Sequence, residues 1–370
     1  MTPDPEVSTQ AQYASMTSQP MAVYPNQGQA ITIATLFIIV GSIGMVANSL
    51  VLVAVSLSRK LQTQTNAFVV NLSISDFLTC FALPFHAVGI LSNDGWPLSN
   101  ITCRFVAALT ITTPICSVLT LAMIAVNRYT LITKSKKTYQ KMYRLGIVAI
   151  LVAVTWLVPV FTLVVPQLTN LGGLGYDEFY KICKWDVDLS KIPIFQSIAS
   201  LTFLTATGVI TFCYISIYLH VRKHIEGMKA KRQSQVISMQ SISVEEATQG
   251  TPRQRSPTNH NLNGTPSLRQ VKITQNLCIV VVIFFICVVP YSVLLLCQVR
   301  HLAVIYLAVV FVLSSNINPI LYAAKHPDFK RVFSHMFRCD FADIPHPSGC
   351  LRSIIQKTGA TPSTKSSSES

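Results

Sequence analysis

Charge is what this chain has least of. Among 370 residues only 12 % are Asp, Glu, Lys or Arg, while 50 % are hydrophobic. A soluble domain carries roughly 25 % charged residues, so the deficit excludes an ordinary soluble fold and places the chain in a bilayer. Basic residues are missing altogether before Arg59. The Gln-, Ser-, Thr- and Pro-rich opening therefore lacks the basic segment of a cleavable signal peptide, and the first apolar run is expected to serve as an uncleaved anchor. Also absent are a P-loop, an HExxH or GxSxG motif and any Cys/His spacing of a metal centre, so no enzymatic role is expected. No internal repeat is visible, which argues against a transporter assembled from inverted halves.

What the chain has is seven apolar runs of spanning length, at about 31–57, 66–91, 104–133, 145–166, 194–221, 273–298 and 302–324. Each is near the roughly 20 residues that a membrane helix needs. The expected fold is an all-α membrane protein, a seven-transmembrane helix bundle. The net charge of +14 would suit a nucleic-acid partner, but the basic residues avoid the apolar runs and gather in connecting segments, so no nucleic acid is expected. Arg59 and Lys60 follow the first run, Lys134 to Arg144 the third, Arg222 to Arg232 the fifth, and Lys325 to Arg331 the seventh. By the positive-inside rule the N-terminus faces outward and the C-terminus the cytoplasm. Residues 1–30 are expected as an extracellular disordered N-terminus, 31–338 as the membrane domain and 339–370 as a cytoplasmic tail. Within the domain, 223–271 is polar and rich in Gln, Ser, Pro and Asn, and reads as a disordered third cytoplasmic loop. Six of the ten cysteines lie inside apolar runs, where cysteine behaves as a small hydrophobe. Only Cys103 and Cys183 fall at extracellular positions.

Polar groups inside hydrocarbon are costly and need a reason. Asn48 follows Gly44 by four residues in the first run, and Asp76 closes Asn-Leu-Ser-Ile-Ser-Asp in the second. The third run holds Ser117 and ends in Asn127-Arg128-Tyr129, and the seventh ends in Asn318-Pro319-Ile320-Leu321-Tyr322. Together they suggest a polar network. Asp76 has no second intramembrane carboxylate to relay a proton with, so a transporter or paired-acid enzyme is disfavoured.

The order and spacing of these motifs resembles the rhodopsin-like (class A) G-protein-coupled receptors over residues 31–338. Trp96, Trp156 and Tyr214 match the family's extracellular-loop tryptophan, fourth-helix tryptophan and fifth-helix tyrosine. His326 to Phe337 matches its short amphipathic eighth helix, with Phe329 and Phe333 on one face and Lys330 and Arg331 on the other. Asn127 in place of the usual aspartate, and Ser135 where most members have proline, is similar to the melatonin-receptor-like branch. Val288 stands where the family has its toggle tryptophan, although Phe284 and Pro290 are present, and Ala206 replaces a fifth-helix proline. Retinal-binding members carry a lysine in the seventh helix; the run Leu302 to Ala324 has none, so that light-sensing chemistry is excluded.

The resemblance implies a receptor that binds a small extracellular ligand and promotes nucleotide exchange on a heterotrimeric G protein, with receptor kinases, arrestin and membrane lipids as further partners. Coupling would fall to Asn127, Arg128, Tyr129, Ile132, Tyr214 and Tyr322; the bland reading of Arg128 is an arginine snorkelling to the interface. Cys103 and Cys183 occupy the family's disulfide positions, the alternative being free thiols. Asp76 is either a neutral buried acid or a carboxylate that holds an allosteric sodium ion with Asn48, Ser117, Ser315 and Asn318. No other cofactor is implied.

The aminergic members' third-helix aspartate is Thr110 here, so a cationic amine would lack its counter-ion. The expected ligand is neutral, apolar or anionic, in a pocket lined by Thr110, Thr113, Phe203, Val288 and Tyr291. His86 and Arg104 are candidates for an anionic contact or simply structural. Asn100-Ile101-Thr102 is the reachable glycosylation sequon, Cys339 a palmitoylation candidate, and Ser363 to Ser370 a plain tail or a phosphorylation cluster for arrestin. With Asn127 neutral and Gln270 where some members place an acid, Arg128 should be weakly restrained and basal signalling measurable.

Overall fold

The computed structural model describes residues 22–186, 192–246 and 268–358. Hydrocarbon offers the backbone no partners, so each spanning segment must satisfy its own N–H and C=O groups, and the apolar runs become helices. The seven are Gln27–Leu57, Gln64–Leu91, Asn100–Thr133, Leu145–Leu168, Ile192–Glu246, Leu268–Leu296 and Leu302–Lys325, here called the first to seventh spans. Local chemistry sets several starts. The side chains of Asn26, Thr63 and Ser99 accept from the backbone N–H groups of Gln29, Asn66 and Thr102, using donors that the first turn of a helix leaves free. Ser135 does the same for a short helix, Lys136–Met142, between the third and fourth spans. The eighth helix, Pro327–Phe337, begins with proline at its first position, where the missing N–H is no loss.

Polarity is sorted as a membrane demands. Large apolar side chains such as Ile43, Leu157, Phe161, Phe212 and Ile286 are exposed on the outside of the bundle, whereas Asn48, Asn71, Asp76, Ser117, Ser315 and Asn318 are buried within it. A soluble bundle sorts the other way. Asn71 joins three spans: its Nδ2 donates to Thr120 Oγ1 at 2.7 Å and Thr155 Oγ1 at 3.1 Å, and its Oδ1 accepts from Trp156 Nε1 at 2.7 Å. Gly44 is required by close approach, because a side chain there would meet Asn316 Oδ1 and Cys80 Sγ.

Two short antiparallel strands, β1 Gly173–Asp177 and β2 Ile182–Asp186, form a hairpin between the fourth and fifth spans. A disulfide from Cys183 in β2 to Cys103 fastens it to the third span, with the Cα atoms 5.4 Å apart. Tyr176 Oη donates to Gly89 O and Lys181 Nζ to Ser92 O, tying the same hairpin to the second span. This end is called the disulfide end below, and the opposite one the arginine end.

Three expectations change. The fifth span continues to Glu246 and the sixth starts at Leu268, so 223–246 and 268–271 are helical rather than loop; residues 247–267 lie outside the described residues. The stretch 223–246 is rich in Lys, Gln, Met, Ser and Glu and has no proline, and its single glycine, Gly227, costs a helix only about 1 kcal/mol. At the N-terminus, helix begins at Gln27, and Val23 N donates to Phe179 O at 2.8 Å, so 22–30 is structured against the hairpin. At the C-terminus, the residues after the eighth helix turn back. Ser58 Oγ donates to Pro345 O, Arg59 N to His346 O and Ser348 N to Leu57 O, at 2.7, 2.9 and 2.8 Å. Ile344 and Leu351 are buried against Val51, Ala54, Val55 and Leu61, and a helix follows at Gly349–Thr358. This strap uses the backbone groups that the end of the first span leaves unpaired.

Candidate functional site

Beneath the hairpin, a cavity of about 210 Å³ opens between the second, third, fifth, sixth and seventh spans. Of the residues expected there, His86, Thr110, Phe203 and Tyr291 line it. Thr113 and Val288 do not: Thr113 shares a hydrogen bond of 2.8 Å with Thr79, and Val288 is fully buried in the core. Val288 lies three residues, about 4.5 Å, deeper along its helix than the lining Tyr291, whereas Thr113 is on a different face of the third span from Pro114 and Ile115, which line the cavity at greater depth. Arg104 is exposed and is not among the lining residues. Thr110 Oγ1 donates to Val106 O at 2.8 Å and meets His86 Nε2 at 2.7 Å. With the hydroxyl proton directed at Val106, the imidazole Nε2–H is the donor to Thr110, and His86 Nδ1 is left as a buried acceptor without a partner.

Sequence reasoning missed much of the wall. Phe203 and Tyr291 pack on Phe311, at 5.1 and 5.2 Å between centroids, and Trp185 stacks on Phe195 at 4.6 Å. Lys184, on β2, also lines the cavity. Its ammonium lies 2.9 Å from Asp177 Oδ2 and 4.7 Å above the Tyr180 ring. Burial holds its pKa below the ordinary lysine value; Asp177 opposes that shift, and Arg300 adds to it. The available signal was adjacency: a cysteine bonded to the top of the third span must bring Lys184 and Trp185 there too.

Midway along the bundle Asp76 is fully buried. Its Oδ1 accepts from Ser117 Oγ at 2.6 Å and Ser315 Oγ at 2.8 Å, and its Oδ2 from Asn318 Nδ2 at 2.9 Å. Asn48 is one step removed: its Nδ2 donates to Gly44 O and Ser315 O, and its Oδ1 has no partner. Below this layer a gap of about 40 Å³ separates Asn318 from Tyr214.

At the arginine end, Asn127 is fully buried and points away from Arg128. Its Nδ2 donates to Tyr139 Oη at 3.2 Å, and Tyr139 Oη shares a second hydrogen bond, of 2.9 Å, with Thr65. Arg128 is half-buried and has no hydrogen-bond or ion-pair partner among the described residues. Tyr129 leans on Phe212, Ile132 packs against the core, and Tyr322 stacks on Phe329 of the eighth helix at 5.5 Å. Asn100 opens the third span and is exposed; Cys339 is exposed just past the eighth helix, at φ 56°. Gln270 falls in the sixth span, and Ser363 to Ser370 lie outside the described residues.

A bundle of seven spans with a buried acid on the second, Asn-Arg-Tyr on the third and Asn-Pro-Ile-Leu-Tyr on the seventh matches the model of the 7 transmembrane receptor (rhodopsin family) over residues 47–322. The chain belongs to that family. The receptor is 28 % identical over 313 residues to the alpha-1D adrenergic receptor of Mus musculus, covering 79 % of this chain and 54 % of that one. It is 30 % identical over 202 residues to the melatonin receptor type 1B of Rattus norvegicus, covering 54 % of each. The receptor thus spans about half the length of these relatives. Squid rhodopsin shares the fold, at a TM-score of 0.63 with 19 % identity, covering 94 % of this chain and 98 % of that structure. The receptor is a multi-pass membrane protein of a family that signals rather than catalyses.

Proposed function

We propose that this receptor binds a small ligand of neutral, apolar or anionic character in the cavity under the hairpin, and promotes nucleotide exchange on a heterotrimeric G protein at the arginine end. The observation that carries the reading is the cavity itself, walled by aromatic side chains and lined by no carboxylate among the described residues. A monoamine would find no counter-ion there, since Thr110 takes the place where the aminergic members have aspartate. In this reading the disulfide end and the N-terminus face outward from a plasma membrane, and receptor kinases and arrestin act on the cytoplasmic tail. The ligand favours a state in which the sixth span moves outward, and the opened end receives the G protein around Arg128, Tyr214 and Tyr322.

The layer around Asp76 fits an allosteric sodium ion. Its donors are oxygens: the Asp76 carboxylate, the Ser117 and Ser315 hydroxyls and the Asn48 Oδ1 that lacks a partner. A bound cation would neutralise a carboxylate whose burial in a low dielectric is otherwise costly.

The test is ligand-free guanine-nucleotide exchange, with purified receptor in lipid discs and one purified G protein of each class. At least one class is expected to show receptor-dependent exchange that Arg128→Ala removes. No exchange with any class, or exchange unchanged by Arg128→Ala, would sink the reading.

A further inference from the structure

Two observations about the hairpin end set a chemical requirement on the ligand. The first is the state of Lys184. It lines the cavity, and no other charged side chain does among the described residues. An ammonium has three N–H donors, and the Asp177 carboxylate is its one hydrogen-bond partner among the described residues, at 2.9 Å. Asp177 is itself shared, because its Oδ1 accepts from Tyr180 N at 2.7 Å. The side chains of Lys184 and Asp177 are only 20 % and 16 % exposed, and the ammonium's other close neighbour is the Tyr180 ring, so the charge is largely shielded from water at the cavity wall. Burial, with the Arg300 charge added, holds the Lys184 pKa below the ordinary lysine value in spite of Asp177.

The second observation is a side chamber. Between the third, fourth and fifth spans lies an apolar crevice, open to the outside of the bundle at Phe161, Ile194 and Ile198, that shares Ile111, Ile115, Trp185, Phe195 and Ala199 with the first. The rest of its wall is apolar apart from Thr162, with Phe161, Val165 and Ile198 among its residues. The combined space therefore holds one charged group, Lys184, with neutral polar groups such as His86, Thr110 and Gln196 in the main cavity, and the side chamber is apolar but for Thr162. A molecule with one anionic end and an apolar body suits both parts: its charge meets the one charged group that lines the space, and a second charge at the other end would lie against the apolar side chamber without a partner.

We propose that the receptor's ligand is an amphipathic anion of the carboxylate type, its headgroup received by Lys184 in competition with Asp177 and its apolar body lying between Phe203, Phe311 and the side chamber. This rests on the receptor reading above for the cavity being a ligand site, and its test is a binding measurement without G protein, so that either can fail alone.

The probes are decanoate, decanol and decyltrimethylammonium, which share an apolar chain and differ in head charge. Thermal stabilisation of purified receptor in lipid discs of zwitterionic lipid gives their relative affinities. Decanoate should bind roughly tenfold to a hundredfold more tightly than decanol, the range for a charge-assisted hydrogen bond, and the cation should not bind. Lys184→Gln should bring decanoate down to the affinity of decanol while leaving decanol binding intact, which also shows that the variant is folded. Lys184→Arg should restore most of the preference. Asp177→Asn should strengthen decanoate binding by removing the competing anion; a lysine serving only to brace the hairpin predicts the reverse, through loss of the brace. Equal affinities for decanoate and decanol, no binding of decanoate, preference for the cation, or weaker decanoate binding in Asp177→Asn would each overturn the proposal.

Discussion

At the disulfide end the hairpin is fixed to the third span by a covalent bond and to the second by Tyr176 and Lys181, whereas at the arginine end the Asn127–Tyr139–Thr65 chain carries no formal charge. Neutral hydrogen bonds contribute only about 1 kcal/mol each and exchange readily with water. A disulfide across 80 residues does not exchange at all in an oxidising compartment. The difference locates motion. A change of state that must leave the fold intact can rearrange the arginine end at small free-energy cost, while the mouth of the cavity keeps its shape.

The largest effect should come from cutting the fixed end. By loop-closure entropy, Cys183→Ser should lower stability by about 4.5 kcal/mol, read as thermal unfolding of purified receptor in lipid discs. A loss under about 1 kcal/mol would mean that the hydrogen bonds of Tyr176 and Lys181 suffice, and the contrast between the ends would disappear. Next comes Asp76, which stands between the two. Asp76→Ala leaves the donors of Ser117, Ser315 and Asn318 without their acceptor, a loss of about 3 kcal/mol. Unchanged thermal unfolding would show that water replaces the carboxylate without penalty.

The arginine end should respond in signalling more than in stability. Asn127 is fully buried and bonded to Tyr139, so Asn127→Asp introduces a carboxylate one residue from Arg128 that, by turning from Tyr139, pairs its charge in a low dielectric. Basal nucleotide exchange should fall about tenfold, equivalent to 1.4 kcal/mol, at matched surface expression. Equal basal exchange in the two proteins would assign the restraint to Tyr139 and Tyr129 instead. The smallest effect concerns Lys60 and Asp328, 2.9 Å apart, with side chains 43 % and 28 % exposed. Partial burial alone would raise the Asp328 pKa, but the Lys60 hydrogen bond and charge outweigh it and the net shift is downward. A depressed carboxylate stabilises the folded state fully above its ordinary pKa and loses that contribution as pH falls through the folded value. At this exposure Asp328→Asn should lower stability by less than about 1 kcal/mol at neutral pH, and by nothing measurable in acid. A difference that grows toward acid would reverse the sign and refute the assignment.

The spans were legible because a bilayer asks only for length and apolarity, and Gly44, Asn48, Asp76 and Asn318 stand out against that background. Facing and depth within a span were not legible. Thr113 is turned onto Thr79 while Pro114 and Ile115, deeper in the same span, meet the cavity, and Val288 lies about one turn below the lining Tyr291. The hairpin was hidden because Gly173 to Asp186 mixes glycine, aromatic and charged residues without a sustained period, and its position is imposed from outside by Cys103. Lys184 was hidden with it. The strap was hidden for a different reason: Leu351, Ile354 and Ile355 mark only one short amphipathic helix, and what returns the chain to the first span is backbone pairing of Leu57 and Arg59 with Ser348 and His346, which no side-chain pattern records.

That strap also resets the geometry of the tail as a tether. Were Phe337 the last fixed point, Ser363 would hang on 26 residues, a reach of roughly 90 Å when fully extended. With the chain held at Thr358 by the helix that follows the strap, only five residues separate Ser363 from its anchor, a reach of about 18 Å. The covalent limit on the distance from this anchor to the serine cluster thus falls about fivefold.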